Sequence, residues 1–185
     1  MLSNIVEVIK LNKYYSLGKE KFHALKDVNL EIEQGDFVMI MGKSGSGKTT
    51  LMNLLGLLDS FEDGIYKFNN IDVSKLKEDQ KADIRNKYMG FIFQQPSLLK
   101  NLNIGDNIIL TSVRSNRKNI KDILIKADNL MKMTGIENLK NRNINEVSGG
   151  QLQRAGICRS LMNDPKIIFG DEPTGALNSK SAEEI

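Results

Sequence analysis

The chain has 185 residues, a length that fits one domain of ordinary size with its own hydrophobic core. Its 26 basic and 23 acidic side chains give a net charge of +3, which is too balanced to favour nucleic acid or an anionic membrane surface as a partner. No apolar run approaches the roughly 18 residues that a membrane-spanning helix needs, so a membrane role would have to pass through another protein.

The N-terminal part of the chain has the order strand, glycine-rich loop, helix. Alternating apolar residues predict strands over residues 5–11 and 24–33, and a continuous apolar run over 37–41 predicts a strand buried on both faces. A glycine-rich loop at 42–49 follows, and residues 50–58 have helical spacing. This order indicates an α/β fold with a parallel sheet.

Three further strands are predicted downstream. Two of them, at 64–68 and 89–93, flank a charged segment at 78–87 that has the composition of an exposed helix. The third, at 166–169, is a short apolar run of the kind found in buried strands.

Residues 94–162 contain no convincing strand and are predicted to form an all-helical insertion. Helical spacing is clearest over residues 103–110 and 120–133. The only cysteine, Cys158, lies among apolar residues in a helical pattern. We therefore interpret it as a core residue rather than a nucleophile, and a lone cysteine excludes an internal disulfide.

Residues 42–49 match G-x-x-x-x-G-K-[ST], the pattern of a phosphate-binding loop. Its glycines let consecutive backbone N–H groups turn toward a phosphate, and the following helix adds the positive field of its N-terminus. In this pattern Lys48 lies between the β- and γ-phosphates, and the hydroxyl of Thr49 can ligate Mg²⁺. The alternative is a chance glycine-rich turn, which the position between a strand and a helix disfavours. The residues predicted to contact ATP or GTP are Gly42, Lys43, Ser44, Gly45, Ser46, Gly47, Lys48, Thr49 and Thr50.

Two adjacent acids, Asp171 and Glu172, follow the last predicted strand. In an open α/β sheet, ligands collect at the carboxyl ends of the strands. Asp171 is suited to hold the water shell of Mg²⁺, and Glu172 can polarise an attacking water. Two ordinary acids at the start of a surface loop are the alternative, and the phosphate-loop pattern in the same chain favours the functional interpretation.

The segment Val147-Ser148-Gly149-Gly150-Gln151 is predicted to begin a helix. Ser148 and Gln151 have the S-x-x-Q spacing of a capping box, and Gly149 and Gly150 leave backbone N–H groups accessible to an anion. An ordinary helix cap is the alternative. Together with the following Leu-Gln-Arg and a later Asp-Glu-Pro, however, the segment resembles the signature motif of ABC-type ATPases, whose usual form is LSGGQ.

Other positions extend the resemblance to about residues 5–185. Gln94 resembles the Q-loop glutamine, which contacts Mg²⁺ and the attacking water. Tyr15 resembles the aromatic residue that stacks on adenine, although Tyr14 is adjacent and either tyrosine could belong to the core. Residues 175–178 resemble the D-loop of the dimer interface. Three segments, residues 42–59, 90–99 and 171–181, are most similar to one subgroup of the family. This subgroup contains the ATPases of lipoprotein-release, macrolide-export and antimicrobial-peptide-resistance transporters.

The resemblance implies a fold class and a division of the chain. It implies an α/β P-loop NTPase, with a RecA-like parallel sheet core, an antiparallel β subdomain and an α-helical subdomain. The whole chain, residues 1–185, is then one ABC ATPase domain. Residues 1–93 and 163–185 form the nucleotide-binding core, and residues 94–162 form the helical subdomain with the signature motif.

The resemblance also implies a function with ATP and Mg²⁺ as cofactors. Two copies pack head to tail, with ATP between the phosphate loop of one and the signature helix of the other. ATP hydrolysis drives a transmembrane permease subunit at the cytoplasmic face of the plasma membrane, and analogy with the subgroup implies export or extraction. No nucleic-acid partner is expected. The implied catalytic residues are Lys48, Gln94 and Glu172; the implied metal ligands are Thr49, Gln94 and Asp171; and the implied contacts to the second copy's nucleotide are Ser148, Gly149, Gly150 and Gln151.

Two departures from the family pattern lie toward the C-terminus. Asn178 stands where the D-loop aspartate is usual, and the only histidine, His23, is too far upstream to be the family's switch histidine. The missing switch histidine leads us to expect a C-terminally truncated chain, for which the alternative function is ATP binding without turnover. A soluble ABC ATPase of DNA repair or translation is disfavoured because a long coiled-coil insertion and a second cassette are both missing from the sequence.

Overall fold

The computed structural model describes residues 4–18, 20–115 and 119–173. The chain forms two compact units, which divide after Arg85 and are described here one at a time. The strands are β1 (Asn4–Leu17), β2 (Glu20–Glu33), β3 (Asp63–Phe68), β4 (Ile71–Asp72), β5 (Met89–Ile92) and β6 (Ile167–Gly170). The α-helices are α1 (Lys48–Leu55), α2 (Glu78–Tyr88), α3 (Ile104–Ser115), α4 (Ile120–Met133) and α5 (Gly149–Leu161).

The first unit is built on an antiparallel sheet with the strand order β2-β1-β3-β4. Val6 of β1 pairs with Phe68 of β3, and Val8 pairs with Tyr66, so alternate residues of both strands face one core. Helix α1 contributes Leu54 and Leu55 to the buried apolar set of this unit. The Tyr66 hydroxyl is buried and donates to the carbonyl of Leu55 over 2.6 Å, which ties the sheet to the end of α1.

The prediction of a buried strand over residues 37–41 is wrong. No strand pairing in the described part of the chain includes this segment, and Phe37 and Met41 are 92% and 81% exposed. The apolar composition reflects a preference for a strand, but a strand forms only where a neighbour supplies the hydrogen bonds of a ladder. Composition alone carries no information about that neighbour.

The second unit contains β5 and β6 in parallel, with Gly90 opposite Ile168. Helices α3, α4 and α5 enclose its core, and Ile123, Ala127 and Met131 are buried at a spacing of four along α4. The core also contains Cys158 with no exposed surface, which confirms the prediction of a buried cysteine. The other buried members of this core are Ile104, Ile108, Ile136, Ala155 and Met162.

The remaining predicted elements are confirmed, but several have different ends, and β1 continues to Leu17 instead of ending near residue 11. Predicted strands at 5–11, 24–33, 64–68, 89–93 and 166–169 correspond to β1, β2, β3, β5 and β6. Helix α1 ends at Leu55, earlier than predicted, because Leu57 has a positive φ of 57° that a helix cannot continue through. Between 94 and 162 the described residues form helices and one isolated bridge, Asn103 to Asn143. Among the described helices, none is long and apolar enough to cross a bilayer.

Candidate functional site

The predicted phosphate loop is an exposed turn that leads into α1. Gly45 and Gly47 have φ values of 77° and 92°, in the left-handed region that residues with a Cβ rarely adopt. A Cβ on Gly47 would lie 2.9 Å from Cδ2 of Leu25 and 3.0 Å from the carbonyl of Ala24. The turn therefore requires glycine at position 47 for two reasons, its backbone conformation and the close approach of β2.

The ammonium group of Lys48 lies over this loop. Its Nζ donates to the carbonyls of Gly42 and Lys43, at 2.9 Å each. The amide of Ser46 donates to the Lys43 carbonyl over 3.2 Å, which closes the turn. The loop thus curls around one positive charge. Exchange of these neutral carbonyl acceptors for an anionic phosphate would strengthen the hydrogen bonds of the ammonium.

Helix α1 starts without the features that usually neutralise a helix N-terminus. Gly47 is its N-cap and offers no side-chain cap, and its first turn contains no acidic residue. Thr49 and Thr50 lie in this turn, and Thr49 is exposed. The start of α1 therefore presents amide donors and a hydroxyl group to an anion.

Tyr15 lies on β1 with 36% of its surface exposed, and the neighbouring Tyr14 is 37% exposed, so neither tyrosine belongs to the core. The Tyr14 ring stacks on His23 with centroids 4.1 Å apart. The Tyr15 hydroxyl donates to Asp59 over 2.9 Å, and the Nζ of Lys13 lies 5.0 Å from the ring centroid. Tyr15 is therefore a fixed, partly exposed ring of the kind that can stack on a base.

A buried charged group that was not predicted from the sequence lies next to Tyr15. Lys13 is only 4% exposed, and its Nζ lies 3.0 Å from Asp59 and 3.5 Å from Glu62. Burial opposes the charge of Lys13, but the Asp59 and Glu62 carboxylates outweigh it and the pKa of Lys13 is raised. Burial likewise opposes the charge of Asp59, and its hydrogen bonds from Lys13, the Ser60 amide and Tyr15 lower its pKa overall. Alternation along β1 gave no signal for a buried lysine, since charged residues normally mark the exposed face.

In the second unit, the predicted carboxylates follow β6 directly. Asp171 adds one bond beyond the strand pairing, because its amide donates to the carbonyl of Ile92 over 3.0 Å. Glu172 is exposed and has a positive φ of 45°, which costs a residue with a side chain about 1–2 kcal/mol. Backbone strain of this kind persists only where surrounding contacts maintain it.

Gln94 and Glu172 are in direct contact. The side-chain amide Nε2 of Gln94 donates to Oε2 of Glu172 over 2.9 Å. Gln94 comes two residues after the end of β5, and Glu172 comes two residues after the end of β6. Because these strands are parallel neighbours, their carboxyl ends bring together two side chains that are 78 positions apart in the sequence.

Gln153 is a second residue of the candidate site that was not predicted from the sequence. It is 2% exposed on α5, and its Nε2 donates to the carbonyl of Phe93 over 3.1 Å and to that of Pro173 over 2.8 Å. These two residues adjoin Gln94 and Glu172. A glutamine in a helix is usually exposed, and no local pattern marks the burial of Gln153, which comes from packing against the segments that follow β5 and β6.

The predicted signature helix begins as expected. Ser148 is the N-cap of α5, its hydroxyl accepts from the Gln151 amide over 3.3 Å, and the Gln151 side chain accepts from the Ser148 amide over 2.9 Å. The predicted capping box is therefore confirmed. Ser148 and Gly149 are exposed, Gly150 is half-buried, and no heavy atom lies within 4 Å of the Cβ position of Gly149. This helix start can be approached closely from solvent.

The donors predicted to hold Mg²⁺ are hard oxygen ligands, the Thr49 hydroxyl, the Gln94 side-chain oxygen and the Asp171 carboxylate. Among residues 4–18, 20–115 and 119–173, no group of three or more His, Cys, Asp and Glu side chains forms a metal cluster. Mg²⁺ usually takes one or two protein ligands and completes its shell with water and phosphate oxygens, so the chemistry of these donors fits it. The predicted D-loop, residues 175–178, lies outside the described residues.

Comparison with known proteins places these features in one family. The model of the family described as ABC transporter matches residues 25–175. The chain is 43% identical over 182 residues to the macrolide export ATP-binding/permease protein MacB of Mannheimia succiniciproducens, covering 98% of this chain and 28% of that relative. It is 45% identical over 181 residues to MacB of Bdellovibrio bacteriovorus, with 98% and 27% covered. The chain thus spans little more than a quarter of these curated relatives.

Solved structures show the same similarity in three dimensions. The dimeric, post-hydrolysis structure of the ATP-binding cassette MJ0796 bound to ADP and Pi has a TM-score of 0.90 and 40% identity, covering 97% of this chain and 79% of that chain. CbiO1 from Clostridium perfringens, part of the transporter complex cbiONQ, has a TM-score of 0.82 and 31% identity, with 98% and 70% covered. The expected P-loop NTPase fold is confirmed by these matches.

Proposed function

The chain belongs to the ABC transporter family, and from this premise we propose that it binds and hydrolyses ATP to drive a membrane permease. One observation carries the proposal of hydrolysis. The Glu172 carboxylate accepts from the Gln94 amide at 2.9 Å, at the carboxyl ends of two parallel strands, where α/β proteins bind their ligands. A carboxylate oriented in this way can accept a proton from an attacking water.

The proposed phosphate contacts are the loop amides of residues 42–47, the Lys48 ammonium and the first turn of α1. The support is the left-handed turn at Gly45 and Gly47 and the two carbonyl bonds that keep Lys48 over the loop. Lys48 would neutralise charge that develops on the transferred phosphoryl group. The Tyr15 ring is proposed to stack on the adenine base, supported by its partial exposure and by the Asp59 bond that fixes it.

Mg²⁺ is proposed to bind with the nucleotide, through Thr49, Gln94 and Asp171. When bound, it would supply positive charge to the phosphate oxygens and lower the barrier to phosphoryl transfer. Glu172 is not a proposed metal ligand, since its carboxylate is assigned to the attacking water. The distinction between Asp171 and Glu172 follows from their backbone positions: Asp171 continues the strand pairing with β5, and Glu172 turns away from it at a positive φ.

A second copy of the chain is the proposed partner for the signature helix. The start of α5 is suited to receive the terminal phosphate of a nucleotide that the second copy holds, through the amides of Gly149 and Gly150 and the hydroxyl of the exposed Ser148. The dimeric state of the related cassette MJ0796 supports this arrangement. Residues 1–93 and 163–185 are proposed as the nucleotide-binding core of each copy, with 94–162 as the helical subdomain.

Export is the proposed direction of transport, supported by the macrolide export proteins among the relatives. The permease is proposed to hold this ATPase at the cytoplasmic face of the plasma membrane. Nucleic acid is not a proposed partner, in keeping with the near balance of basic and acidic side chains.

The test uses the protein in its native form. We expect Lys48→Ala to weaken ATP binding and Glu172→Gln to retain ATP binding but lose at least about a hundredfold in steady-state phosphate release. Lys75→Ala and Glu137→Gln are matched controls at exposed positions outside the proposed site and are expected to leave both measurements unchanged. Equal phosphate release by the parent and Glu172→Gln would overturn the catalytic role of Glu172. ATP binding without turnover in the parent would instead favour a non-catalytic binding module.

A further inference from the structure

Gln153 joins the two backbone segments that carry Gln94 and Glu172. Its single side-chain amide nitrogen donates to the carbonyl of Phe93, which precedes Gln94, and to the carbonyl of Pro173, which follows Glu172. We call these two hydrogen bonds the Gln153 clamp. The clamp lies beyond the last backbone bond between the segments, from the Asp171 amide to the Ile92 carbonyl, so it continues the connection where the sheet has ended.

The chemistry of the clamp requires a side-chain amide. Both partners are backbone carbonyls, which only accept hydrogen bonds, so the NH₂ end of Gln153 must face them. An NH₂ group offers two donors, one for each carbonyl. A glutamate in the same place would offer none when ionised, and a leucine would leave both carbonyls without this donor.

The acceptor oxygen of the same amide indicates that this position needs the two N–H donors of Gln153. The Oε1 atom of Gln153 is buried and has no hydrogen-bond partner among the described residues. An unpaired buried acceptor costs about 1–3 kcal/mol of stability. If the position served packing alone, an apolar residue would avoid this cost. The conformation of Glu172 supports the same interpretation, because its positive φ of 45° needs contacts that maintain it, and Gln153 bonds the carbonyl of the next residue, Pro173.

We propose that Gln153 is a positioning residue that fixes the Gln94–Glu172 pair for attack by water. This rests on the proposed ATPase function, but the structural part of the inference does not depend on turnover. Loss of the clamp would leave ATP-binding groups in place and let the Gln94 and Glu172 segments move apart. Misplacement of a catalytic group by about 1 Å can cost a hundredfold in rate.

The experiment compares Gln153→Leu with Asn107→Leu in the full-length protein. Asn107 is an equally buried amide in the same unit, and its Nδ2 donates to the carbonyls of Leu99, Leu102 and Asn103. Both substitutions remove a buried amide that bonds backbone carbonyls, but only Gln153 contacts the Gln94 and Glu172 segments. Hydrogen exchange by mass spectrometry and steady-state phosphate release are measured for both, with each rate normalised to folded protein.

We expect Gln153→Leu to speed amide exchange in the peptides that cover residues 89–95 and 167–173, and to lower kcat at least about tenfold with KM for ATP changed less than about twofold. Asn107→Leu should lower the melting temperature without either effect. In a Gln94→Leu background, Gln153→Leu should lower kcat little further, because both changes act through one pair. Unchanged exchange in both peptides, or a further tenfold loss in the Gln94→Leu background, would overturn the proposal.

The two proposals fail in different ways. A parent protein that does not hydrolyse ATP contradicts the proposed function, and the exchange data then still decide whether Gln153 orders the two segments. A parent that hydrolyses ATP, with a Gln153→Leu variant of equal kcat, leaves the proposed function intact and rejects the positioning role.

Discussion

Gln94 and Glu172, which follow neighbouring parallel strands, share a hydrogen bond of 2.9 Å from side-chain amide to carboxylate. The amide nitrogen can only donate to this carboxylate oxygen, so the bond holds the Glu172 side chain in one orientation. An ionised, oriented carboxylate is the form that accepts a proton from water.

The first prediction concerns this bond. Gln94→Leu removes the donor with little change in side-chain size, and we expect kcat for ATP hydrolysis to fall at least about tenfold. Gln95→Leu makes the same change at the next, exposed position and should have little effect on kcat. Steady-state phosphate release measures both, and similar rates for the two variants would contradict the importance of the bond.

The second prediction separates two roles of Ser148. Ser148→Ala removes the side-chain half of the capping box and should cost about 1 kcal/mol of stability in urea unfolding. Asn119→Ala removes the corresponding cap of α4, where the side chain accepts from the Lys121 amide over 3.0 Å, and should cost a similar amount. Only Ser148→Ala should also weaken ATP-dependent association of two copies, measured by analytical ultracentrifugation. Equal association by both variants would argue that Ser148 is a helix cap alone.

The third prediction uses two glycines of the phosphate loop. Both have positive φ, but a Cβ at Gly45 would meet no heavy atom within 4 Å, whereas one at Gly47 would approach Leu25 and Ala24 to about 3 Å. Gly45→Ala should therefore cost only the conformational penalty, about 1–2 kcal/mol, and Gly47→Ala should cost more. Thermal unfolding gives the order of the two variants. A smaller loss for Gly47→Ala would show that β2 does not constrain the loop.

The fourth prediction concerns the buried charge of Lys13. Asp59→Asn removes the nearer carboxylate, 3.0 Å from Nζ, and should cost about 1–3 kcal/mol because the Lys13 ammonium is left buried with a weaker partner. Glu62→Gln removes a carboxylate that is 3.5 Å away and 45% exposed, so its effect should be smaller. Urea unfolding at neutral pH measures the stability of both variants. A larger loss for Glu62→Gln than for Asp59→Asn would contradict the assignment of Asp59 as the main partner of Lys13.

The ion pair of Lys13 and Asp59 also predicts how the stability of the fold depends on pH. The pKa of Asp59 is lowered in the folded chain, so its stabilisation is complete above the unfolded-state pKa and is lost as the pH falls through the lower folded-state value. The pKa of Lys13 is raised, so its contribution is lost only when the pH rises through that raised value. The stability difference between the parent and Asp59→Asn should be constant near neutral pH and shrink below about pH 4. A stability difference that grows as the pH falls would contradict the lowered pKa of Asp59.

The fifth prediction is that Cys158 is inert in the folded protein. Its side chain is buried, its Sγ lies 3.2 Å from the Thr134 hydroxyl, and burial raises the pKa of the thiol. Reaction with a thiol reagent requires an accessible thiolate, so labelling should be slow in buffer and complete after unfolding in urea. Rapid stoichiometric labelling without urea would show that the core of the second unit opens readily.

Much of the candidate site was predictable because its chemistry depends on local spacing. The turn at 42–49, the capping box of Ser148 and Gln151, and the acids after β6 each lie within a few consecutive residues. Backbone geometry over such short distances follows from residue type, since glycine permits the left-handed turn and a serine hydroxyl reaches an amide three residues on. Helices α3 and α4 were predictable for the same reason, because a helix forms its hydrogen bonds within its own sequence.

The sequence by itself therefore determined which chemical groups this protein has and the short motifs that present them. Only the tertiary structure decided which distant groups meet: that Gln94 reaches Glu172, that Gln153 bonds both of their neighbours, and that Lys13 is buried against Asp59. It also decided that residues 37–41 make no strand among the described residues, despite their composition. The physical reason is common to all four. Contacts between strands, and between side chains far apart in the chain, depend on partners that no local pattern specifies.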